Sequence, residues 1–479
     1  MKRRVKVSIL AAAALGVLAG CETITRARES QREIAPKASD AGVSTATTNE
    51  AARIDLRGGA LPDYVFYAIT NRPSLEASRL AVADAVVALR QVTSDRALQV
   101  NLGAGYSQAT ANGGSHFSWH QPRGKGTADI SFDLLLYDFG RLDARERAAR
   151  ETLIAAQRDF RDAEYDVFNE VAQAYTALLR SDAMLDVAHT NEYMYAEHLR
   201  QSESLFAAGE AKKLDVLKAR VDLSAARLET INASNDVATA SAEFIRTLGL
   251  STDRASREDV IEVATNALEN LRCALPETTY TAVEGLQIAR TNAPSLMVLR
   301  AKLRAASAQV DYAVADLLPE LTLSSAFSFA DPAWNWSWGL KAAQSLLDGF
   351  RKQLAVDAAV IAMETARTAV DVAEQKLSYD LAVATAERDN ARQSLEAATI
   401  EVEQARENYE TVLAQYRVGD ASRLDFTDAA GSLAEALGAR VKAFYDGEAA
   451  EAKLIRLTGL VPPEGTPEAA PGAHRQAVK

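Results

Sequence analysis

An internal repeat of about 210 residues limits most strongly how this 479-residue chain can fold. Asn-Arg-Pro-Ser-Leu at 71–75 recurs as Asn-Ala-Pro-Ser-Leu at 292–296, and Arg-Thr-Leu-Gly-Leu at 246–250 recurs as Arg-Leu-Thr-Gly-Leu at 456–460. The spacing changes only once along the chain, which predicts one longer loop in the first copy. A period this long is unlike that of solenoid repeats. The sequence therefore predicts two copies of one structural unit.

Each unit contains two segments in which apolar and polar residues alternate, and we predict strands there. They lie at about 98–108 and 126–137, then at about 320–330 and 334–347. Period-two alternation puts the two sets of side chains on opposite faces of a sheet. An apolar outer face with a polar inner face is typical of a transmembrane β-barrel. A hairpin packed on a soluble core is the alternative; three tryptophans at every second position favour lipid contact, at Trp334, Trp336 and Trp338.

Four strands are too few to close a barrel, which needs about eight. Open sheet edges are not tolerated in lipid. If these strands cross the membrane, several copies of the chain must therefore share one barrel.

A long helix without proline follows the second strand of each unit, at about 141–207 and 351–417. Each helix spans roughly 100 Å at about 1.5 Å per residue. Spacings of three and four residues between small and apolar side chains indicate coiled-coil packing. In the second helix this seam comprises Val370, Ala373, Leu377, Leu381, Ala384, Arg388, Ala391, Leu395, Ala398, Val402, Ala405, Tyr409, Val412 and Tyr416.

Glycines end both long helices, and shorter helices return at about 211–248 and 421–458. Each unit is thus predicted to order its elements as helix, strand, strand, long helix and helix, with a helical hairpin at one end. The fold class is mainly α with a membrane β-barrel. The units extend over 61–250 and 281–460, with a connecting segment at 251–280.

The first 20 residues are predicted to form a signal peptide that is not part of the fold. A basic start precedes an apolar stretch at 7–19 that is too short to span a membrane. Its end at Cys21 resembles a lipobox, in which a lipid is attached to the cysteine thiol; an ordinary secretory peptide is the alternative. Residues 21–60 would then be a lipidated linker. Glu22 follows the cysteine in place of the aspartate that commonly retains lipoproteins in the inner membrane, which favours the outer membrane.

Composition excludes several classes of function. A formal net charge of −12 makes the chain a poor binder of nucleic acid. Cys273 has no intramolecular partner once Cys21 carries lipid, so no disulfide framework is expected. No nucleotide loop, zinc helix motif or nucleophile motif occurs. We expect no catalytic residue, no cofactor and no metal site. His116 and His120, four residues apart in a predicted loop, are not expected to bind a metal either.

The chain resembles the outer-membrane efflux protein family, whose best-known member is TolC, and more closely its lipoprotein branch. The most specific motif joins Tyr416, Gly419, Leu424, Asp425 and Asp428. Asp-Phe-Gly-Arg at 138–141 also looks like the strand-to-helix exit of the family. The resemblance covers about residues 60–460.

The chain departs from this pattern in its first repeat. The first hairpin has Phe206 in place of the tyrosine and Lys218 in place of the second aspartate. Ala97-Leu98-Gln99 also replaces the Leu-Pro-Glu that precedes the third strand at 318–320. The first strand is therefore expected to start less sharply than the third.

The resemblance implies a homotrimer in which twelve strands form one shared β-barrel and twelve helices form a periplasmic α-barrel. Residues near 50–70, 250–280 and 459–479 would form an equatorial belt, although the Pro/Gly/Ala-rich tail at 461–479 is expected to be disordered. The implied function is a passive exit duct in the outer membrane. A periplasmic adaptor and a proton-driven inner-membrane pump would be its partners.

The resemblance also places adaptor contact at the hairpin tips, where glycine permits close backbone approach. The candidate residues are Ala208, Gly209, Glu210, Val418, Gly419 and Asp420. Helix capping alone is the alternative reading of the two glycines. Turns between barrel and helix are predicted at Asp138, Gly140, Asp348 and Gly349.

Asp425 and Asp428 are three residues apart and therefore share a helix face. In a trimer they would surround the periplasmic mouth with carboxylates, and such rings constrict a pore and attract cations. We predict that they form the gate and that Tyr416 braces its closed state by hydrogen bonds; a solvated helix face is the alternative. In the first hairpin, Asp215 is expected to pair with Lys218.

Several other functions share part of this evidence. The same duct could serve type I protein secretion or metal-ion efflux, although five methionines and five histidines, scattered along the chain, argue against metal. The inner face of the predicted barrel carries three charged side chains, at Asp129, Asp133 and Lys341. They either affect which solutes pass or are ordinary solvent-exposed residues of the channel wall. A lipid-anchored periplasmic coiled-coil scaffold without a channel would explain the helices but not the strands.

Overall fold

The computed structural model describes residues 61–107, 125–209, 212–250, 278–330, 333–344, 348–418 and 420–460. The predictions for the signal peptide, for the linker with Cys21 and for the tail lie outside these residues. So do those for Cys273, His116, His120, Glu210 and Gly419.

The two repeats follow the same order of elements. The first contains α1 (Leu61–Asn71), α2 (Pro73–Ser94), β1 (Gln99–Ser107), β2 (Lys125–Tyr137), α3 (Arg141–Ala207) and α4 (Lys213–Thr247). The second contains α5 (Ala282–Asn292), α6 (Pro294–Ala315), β3 (Glu320–Ala330), β4 (Ala333–Ala343), α7 (Arg351–Arg417) and α8 (Arg423–Thr458). The connection between β1 and β2 is longer than that between β3 and β4, in keeping with the single change of repeat spacing.

Local sequence explains where several helices begin. Pro73 and Pro294 occupy the first turns of α2 and α6, where proline's fixed φ is compatible with a helix and its lack of an N–H costs nothing. Ser422 begins α8 with a capping box, since its hydroxyl accepts a hydrogen bond from the Asp425 N–H. Each repeat also starts with an 11-residue helix, α1 or α5, that the periodicity did not single out.

The strands form one antiparallel sheet in the order β1-β2-β3-β4, so β1 and β4 are its two edges. Residues directly opposite each other share a face, and the register makes one face largely apolar across all four strands. One such row joins Leu102, Ile130, Phe327 and Trp336. The other face carries polar side chains, among them Asn101, Ser131, Thr322 and Lys341.

The fourth strand is shorter than predicted, since it ends at Ala343 and Gln344 lies outside it. The cause is the register: Ala343 pairs with Glu320, the first residue of β3, so the ladder has no partner beyond it. The Gln344 side chain instead donates to the Leu317 carbonyl at 3.2 Å.

The seam of the second long helix is confirmed, because all fourteen predicted side chains are buried or half-buried. Its one charged member, Arg388, is explained below by its contacts. Among the described residues, no helix is long and apolar enough to span a membrane.

In the described part of the chain, three buried clusters hold the helices together. The largest packs Tyr64 and Ala68 of α1 against Tyr175 and Leu178 near the middle of α3, together with Phe244 of α4. A second packs α5 against Leu377 and Leu381 near the middle of α7. The third lies at the hairpin tips and is described next. The short helices therefore brace the midpoints of the long ones. Most residues of the predicted equatorial belt lie outside the described part of the chain.

Candidate gate and partner sites at the hairpin tips

A buried cluster joins the two hairpins close to their tips. It consists of His198 and Ser202 from α3, Tyr416 from α7 and Phe426 from α8, and we call it the tip cluster. The Tyr416 hydroxyl lies 3.0 Å from His198 Nε2 and 3.3 Å from Ser202 Oγ. The His198 ring stacks on Phe426 with centroids 4.5 Å apart. Tyr416 therefore ties its own hairpin to the other hairpin of the same chain.

Burial controls the charge of His198, whose side chain is 1% exposed. Desolvation lowers its pKa to about 4; nearby Asp222 raises that pKa and Arg423 lowers it. The imidazole is thus neutral at pH 7. Its Nδ1 atom has no hydrogen-bond partner in the described part of the chain, so Tyr416 provides the only hydrogen bond of the ring there.

An ion pair lies beside the tip cluster and makes a second connection between the hairpins. Arg423 in the first turn of α8 donates to Asp222 of α4, with Nη1 and Oδ2 2.6 Å apart. Both side chains are three-quarters buried, which weakens solvent screening of the pair.

The predicted gate aspartates lie on the exposed surface of the first turns of α8. The Asp425 carboxylate accepts a 2.8 Å hydrogen bond from the Ser422 N–H, and hydrogen bonds to Ser422 lower its pKa. Asp425 therefore stays ionised while it caps the helix. Asp428 points to solvent within one chain and has no ion-pair partner among the described residues.

The prediction of an ion pair between Asp215 and Lys218 is wrong. The Asp215 carboxylate instead faces the start of α4 and accepts a hydrogen bond from the Lys212 N–H at 3.3 Å. At the third position of a helix, a carboxylate satisfies an otherwise unpaired backbone donor. Asp215 and Asp425 thus have the same capping role in the two repeats.

The described tip residues are all exposed: Ala208, Gly209, Val418 and Asp420. Gly209 has φ of +81°, and a Cβ there would meet nothing within 4 Å. Glycine is therefore required by the backbone conformation and not by lack of space. Capping explains Gly209 fully, and partner contact stays a prediction.

The predicted barrel-to-helix turns lie where β2 meets α3 and where α7 begins. Asp138 caps α3, accepting from Gly140 N at 3.2 Å and from Leu142 N at 2.6 Å. Asp348 accepts from Lys352 N at 3.2 Å. Gly140 and Gly349 both have positive φ. Arg141 then binds Asp316 and Glu320, which fastens the start of α3 to the turn before β3.

A clamp in the middle of α7 holds the segment at 278–280. The guanidinium of Arg388 donates to the Thr278 carbonyl at 2.9 Å and to the Tyr280 carbonyl at 3.2 Å. Glu451 of α8 accepts from the Thr278 N–H at 3.2 Å and from Arg392 at 3.0 Å. This clamp explains why an arginine occupies a seam position.

The sequence predictions missed His198, Ser202 and Arg423. A single histidine between Met194 and Ser202, on the buried face of a coiled-coil helix, was the available signal. The described residues contain no group of three or more His, Cys, Asp or Glu side chains that could hold a metal ion.

Comparison with known proteins connects this geometry to a family. The family model described as outer membrane efflux protein matches residues 67–250 and 285–460, which is most of both repeats. The chain is 24% identical over 347 residues to the outer membrane efflux protein BepC of Brucella suis, covering 70% of this chain and 73% of BepC. It is 22% identical over 344 residues to the alkaline protease secretion protein AprF of Pseudomonas aeruginosa, covering 69% of each.

The fold is also that of solved outer-membrane channels. The structure of the outer-membrane channel OprN superposes with a TM-score of 0.73 at 18% identity, covering 84% of this chain and 90% of OprN. The predicted fold class is thereby confirmed.

Proposed function

Because the chain belongs to the outer membrane efflux protein family, we propose that it is the exit duct of a tripartite efflux system. Drugs or other small molecules would pass through it from an inner-membrane pump and a periplasmic adaptor to the outside. The protein itself would be passive, with energy supplied by a proton-driven pump. Its place is the outer membrane.

One observation carries this proposal: a four-stranded sheet with an apolar face, whose two edges have no partner strand among the described residues, continues into helices of 67 residues. Such helices are about 100 Å long. Open edges in lipid must be paired, and pairing β4 of one copy with β1 of the next would complete a barrel. Three copies would give the predicted twelve strands and twelve helices.

Susceptibility of a deletion strain to antibiotics and dyes is the direct test. We expect increased susceptibility that a plasmid copy reverses, and co-purification of an adaptor with the tagged protein. Unchanged susceptibility together with a water-soluble monomeric protein would exclude the duct and favour a lipid-anchored scaffold.

The similarity to AprF supports a second candidate, a duct for type I protein secretion. The same deletion strain separates the two functions. Loss of a secreted protein from the medium with unchanged drug susceptibility would favour secretion over efflux.

The gate is proposed at Asp425 and Asp428, with Tyr416 as the brace. The surface position of both carboxylates and the lowered pKa of Asp425 support a ring that stays charged at neutral pH. Replacing both with alanine should raise single-channel conductance in planar bilayers and weaken cation selectivity. Asp420→Ala, at an exposed carboxylate nearby, is the matched control. Unchanged conductance and selectivity in the double variant would remove the gate assignment.

Adaptor contact is proposed at the tips around Gly209 and Gly419, and lipid attachment at Cys21. Metabolic labelling with palmitate tests the second proposal: the wild-type protein should be labelled and Cys21→Ser should not. Equal labelling of both would place the lipid elsewhere.

A further inference from the structure

The two repeats meet at a boundary that is closed on one side and open on the other. At the closed boundary, β2 pairs with β3, and α6 packs against α3 as well as against its own long helix α7. At the open boundary, β4 and β1 are the edges of the sheet. There α2 packs against α3 but makes no comparable contact with α7 among the described residues. The closed boundary therefore shows what contacts a partner at the open boundary should make.

The strand registers show which residues of the two repeats are equivalent. Val100 pairs with Phe132, and Leu321 pairs with Ala342. Offsets of 221 for β1 and 210 for β2 thus reproduce the register of β3 with β4. The same offsets relate the motifs at 71–75 and 246–250 to those at 292–296 and 456–460. Each residue of α2 therefore has an equivalent 221 positions later, and each residue of α3 has one 210 positions later.

An ion pair joins α3 to α6 at the closed boundary, and its equivalent at the open boundary also has opposite charges. Arg147 Nη2 of α3 lies 3.0 Å from Asp311 Oδ2 of α6. The equivalent residues are Asp357 of α7 and Arg90 of α2, so the two charges have exchanged helices. Within one chain both are exposed, and neither makes an ion pair with a described residue. Each is therefore available to a second chain.

A second ion pair shows the same relation next to the strands. Asp316 binds Arg141 of the other repeat, and it also binds a lysine at the start of its own long helix. Its equivalent Asp95 binds Arg145 of its own long helix at 2.9 Å. The residue equivalent to Arg141 is Arg351, which is exposed. The contact that is missing at Asp95 is therefore the one from the other repeat.

The face of α2 that carries Arg90 is also apolar and uncovered. Ala301 and Ala308 of α6 are 0% and 6% exposed, whereas their equivalents Leu80 and Val87 are 61% and 51% exposed. Spacings of seven and three residues put Leu80, Val87 and Arg90 on one face of α2. Large apolar side chains thus occupy the positions that α6 fills with buried alanines.

The face of α7 that carries Asp357 has the same character. Leu354 and Ile361 are 62% and 66% exposed, and they flank the aspartate at spacings of three and four residues. The exposed faces of α2 and α7 therefore match in apolar character and are opposite in charge.

We propose that α7 of one copy packs against α2 of the next copy, with the ion pairs Asp357–Arg90 and Arg351–Asp95 joining the two chains. The partner is a second copy of this chain, and the contact repeats between subunits the packing of α3 on α6 within a chain. This inference rests on the proposed function, because it requires several copies to share one barrel.

Cysteine cross-linking of the full-length protein tests the proposed contact. In a Cys273→Ser parent, Arg90→Cys is combined with Asp357→Cys and treated with a short bifunctional thiol reagent. Arg147→Cys with Asp311→Cys is the matched control, because it places the equivalent pair within one chain. The single variants measure any linkage through the remaining cysteine.

The pair at 90 and 357 should give a covalent trimer that survives boiling in detergent. The control pair should lose its free thiols and still run as a monomer after boiling. If the control is linked and the protein is trimeric by size, but the pair at 90 and 357 boils to monomers, the proposed contact is wrong and the duct is unaffected. If the untreated protein is itself a monomer, the proposed function fails and the contact fails with it.

Exchange of the two charges tests the ion pair itself. Arg90→Asp should lower the temperature at which the trimer dissociates in detergent, because it brings like charges together at each subunit boundary. Asp357→Arg should lower it for the same reason. The double variant restores opposite charges and should recover most of the loss. A double variant whose loss is the sum of the two single losses would show that these side chains do not meet.

Discussion

Tyr416→Phe should open the proposed channel without unpacking the tip cluster. The substitution removes one oxygen atom and keeps the ring that lies 5.7 Å from Phe426. It leaves His198 Nε2 and Ser202 Oγ, both buried, without the hydroxyl that now satisfies them. Such a loss costs about 1–3 kcal/mol. The imidazole has no other hydrogen bond in the described part of the chain, which favours the upper half of that range.

If opening moves α7 and α8 away from α3, the free-energy cost of the lost hydrogen bonds falls on the closed state alone. The hydroxyl–imidazole contact is then already broken in the open state, where water replaces it. A difference of about 1–3 kcal/mol shifts a two-state equilibrium by roughly 5–150-fold. Single-channel recording should therefore show a higher open probability in Tyr416→Phe, and hydrogen exchange at 194–202 should be faster.

Tyr409→Phe is the matched control for this experiment. Tyr409 also packs on Phe426, at 5.8 Å, but its hydroxyl makes no hydrogen bond among the described residues. The Tyr409→Phe variant should leave both open probability and hydrogen exchange at 194–202 unchanged. If both variants behave alike, or if Tyr416→Phe matches the wild type, the hydroxyl does not brace the closed state and the argument is refuted.

Two further predictions concern the buried ionisable side chains His198 and Arg388. Since burial lowers the His198 pKa to about 4, the free histidine binds a proton below its ordinary pKa of about 6.5 while the packed one does not. The packed tip cluster is thus fully stable above about pH 6.5, and its free energy of stabilisation falls by roughly 2–3 kcal/mol as the pH falls to about 4. Open probability in single-channel recordings should therefore rise on acidification. His198→Gln should make open probability depend less on pH. Arg388→Met should speed hydrogen exchange at 278–281, because the Tyr280 carbonyl loses its Arg388 donor and the Thr278 carbonyl keeps only the 3.4 Å hydrogen bond from Arg392. Exposed Arg367→Met should not change this exchange. Equal exchange in both variants would show that the clamp contributes nothing.

Long-range features of the fold were predictable because they rest on simple periods. The long helices lie at the predicted ranges, since 67 residues without proline and with a seam at spacings of three and four permit little else. The strands begin within two residues of their predicted starts. The end of β4 was not predictable from alternation, because the partner residue Glu320 and not the local sequence ends the ladder.

Only part of the tip cluster could be predicted, because local sequence patterns do not identify partners that are distant in the chain. The spacing of Tyr416 from Gly419 predicts its role as a brace by hydrogen bonds. Its partners His198 and Ser202 come from 218 and 214 residues away in the chain, and no local period relates them to Tyr416. Asp215 failed as an ion-pair prediction because spacing alone does not distinguish a lysine from an unpaired backbone N–H as the partner of a carboxylate.

Divergence between the repeats, and not the repeat itself, distinguishes the two hairpins. Asp215 and Asp425 cap equivalent helices, so both copies retain that role. In the first copy Phe206 and Lys218 occupy the positions that Tyr416 and Asp428 occupy in the second, and the first copy contributes buried His198. A hydroxyl from one copy therefore meets an imidazole from the other. If a gate moves here, the second hairpin carries the charge while the first holds its partner. Giving the first copy the residues of the second, by Phe206→Tyr with Lys218→Asp, should add one carboxylate per chain without adding a brace, so cation selectivity in planar bilayers should increase while open probability stays unchanged; a lower open probability would contradict this reasoning.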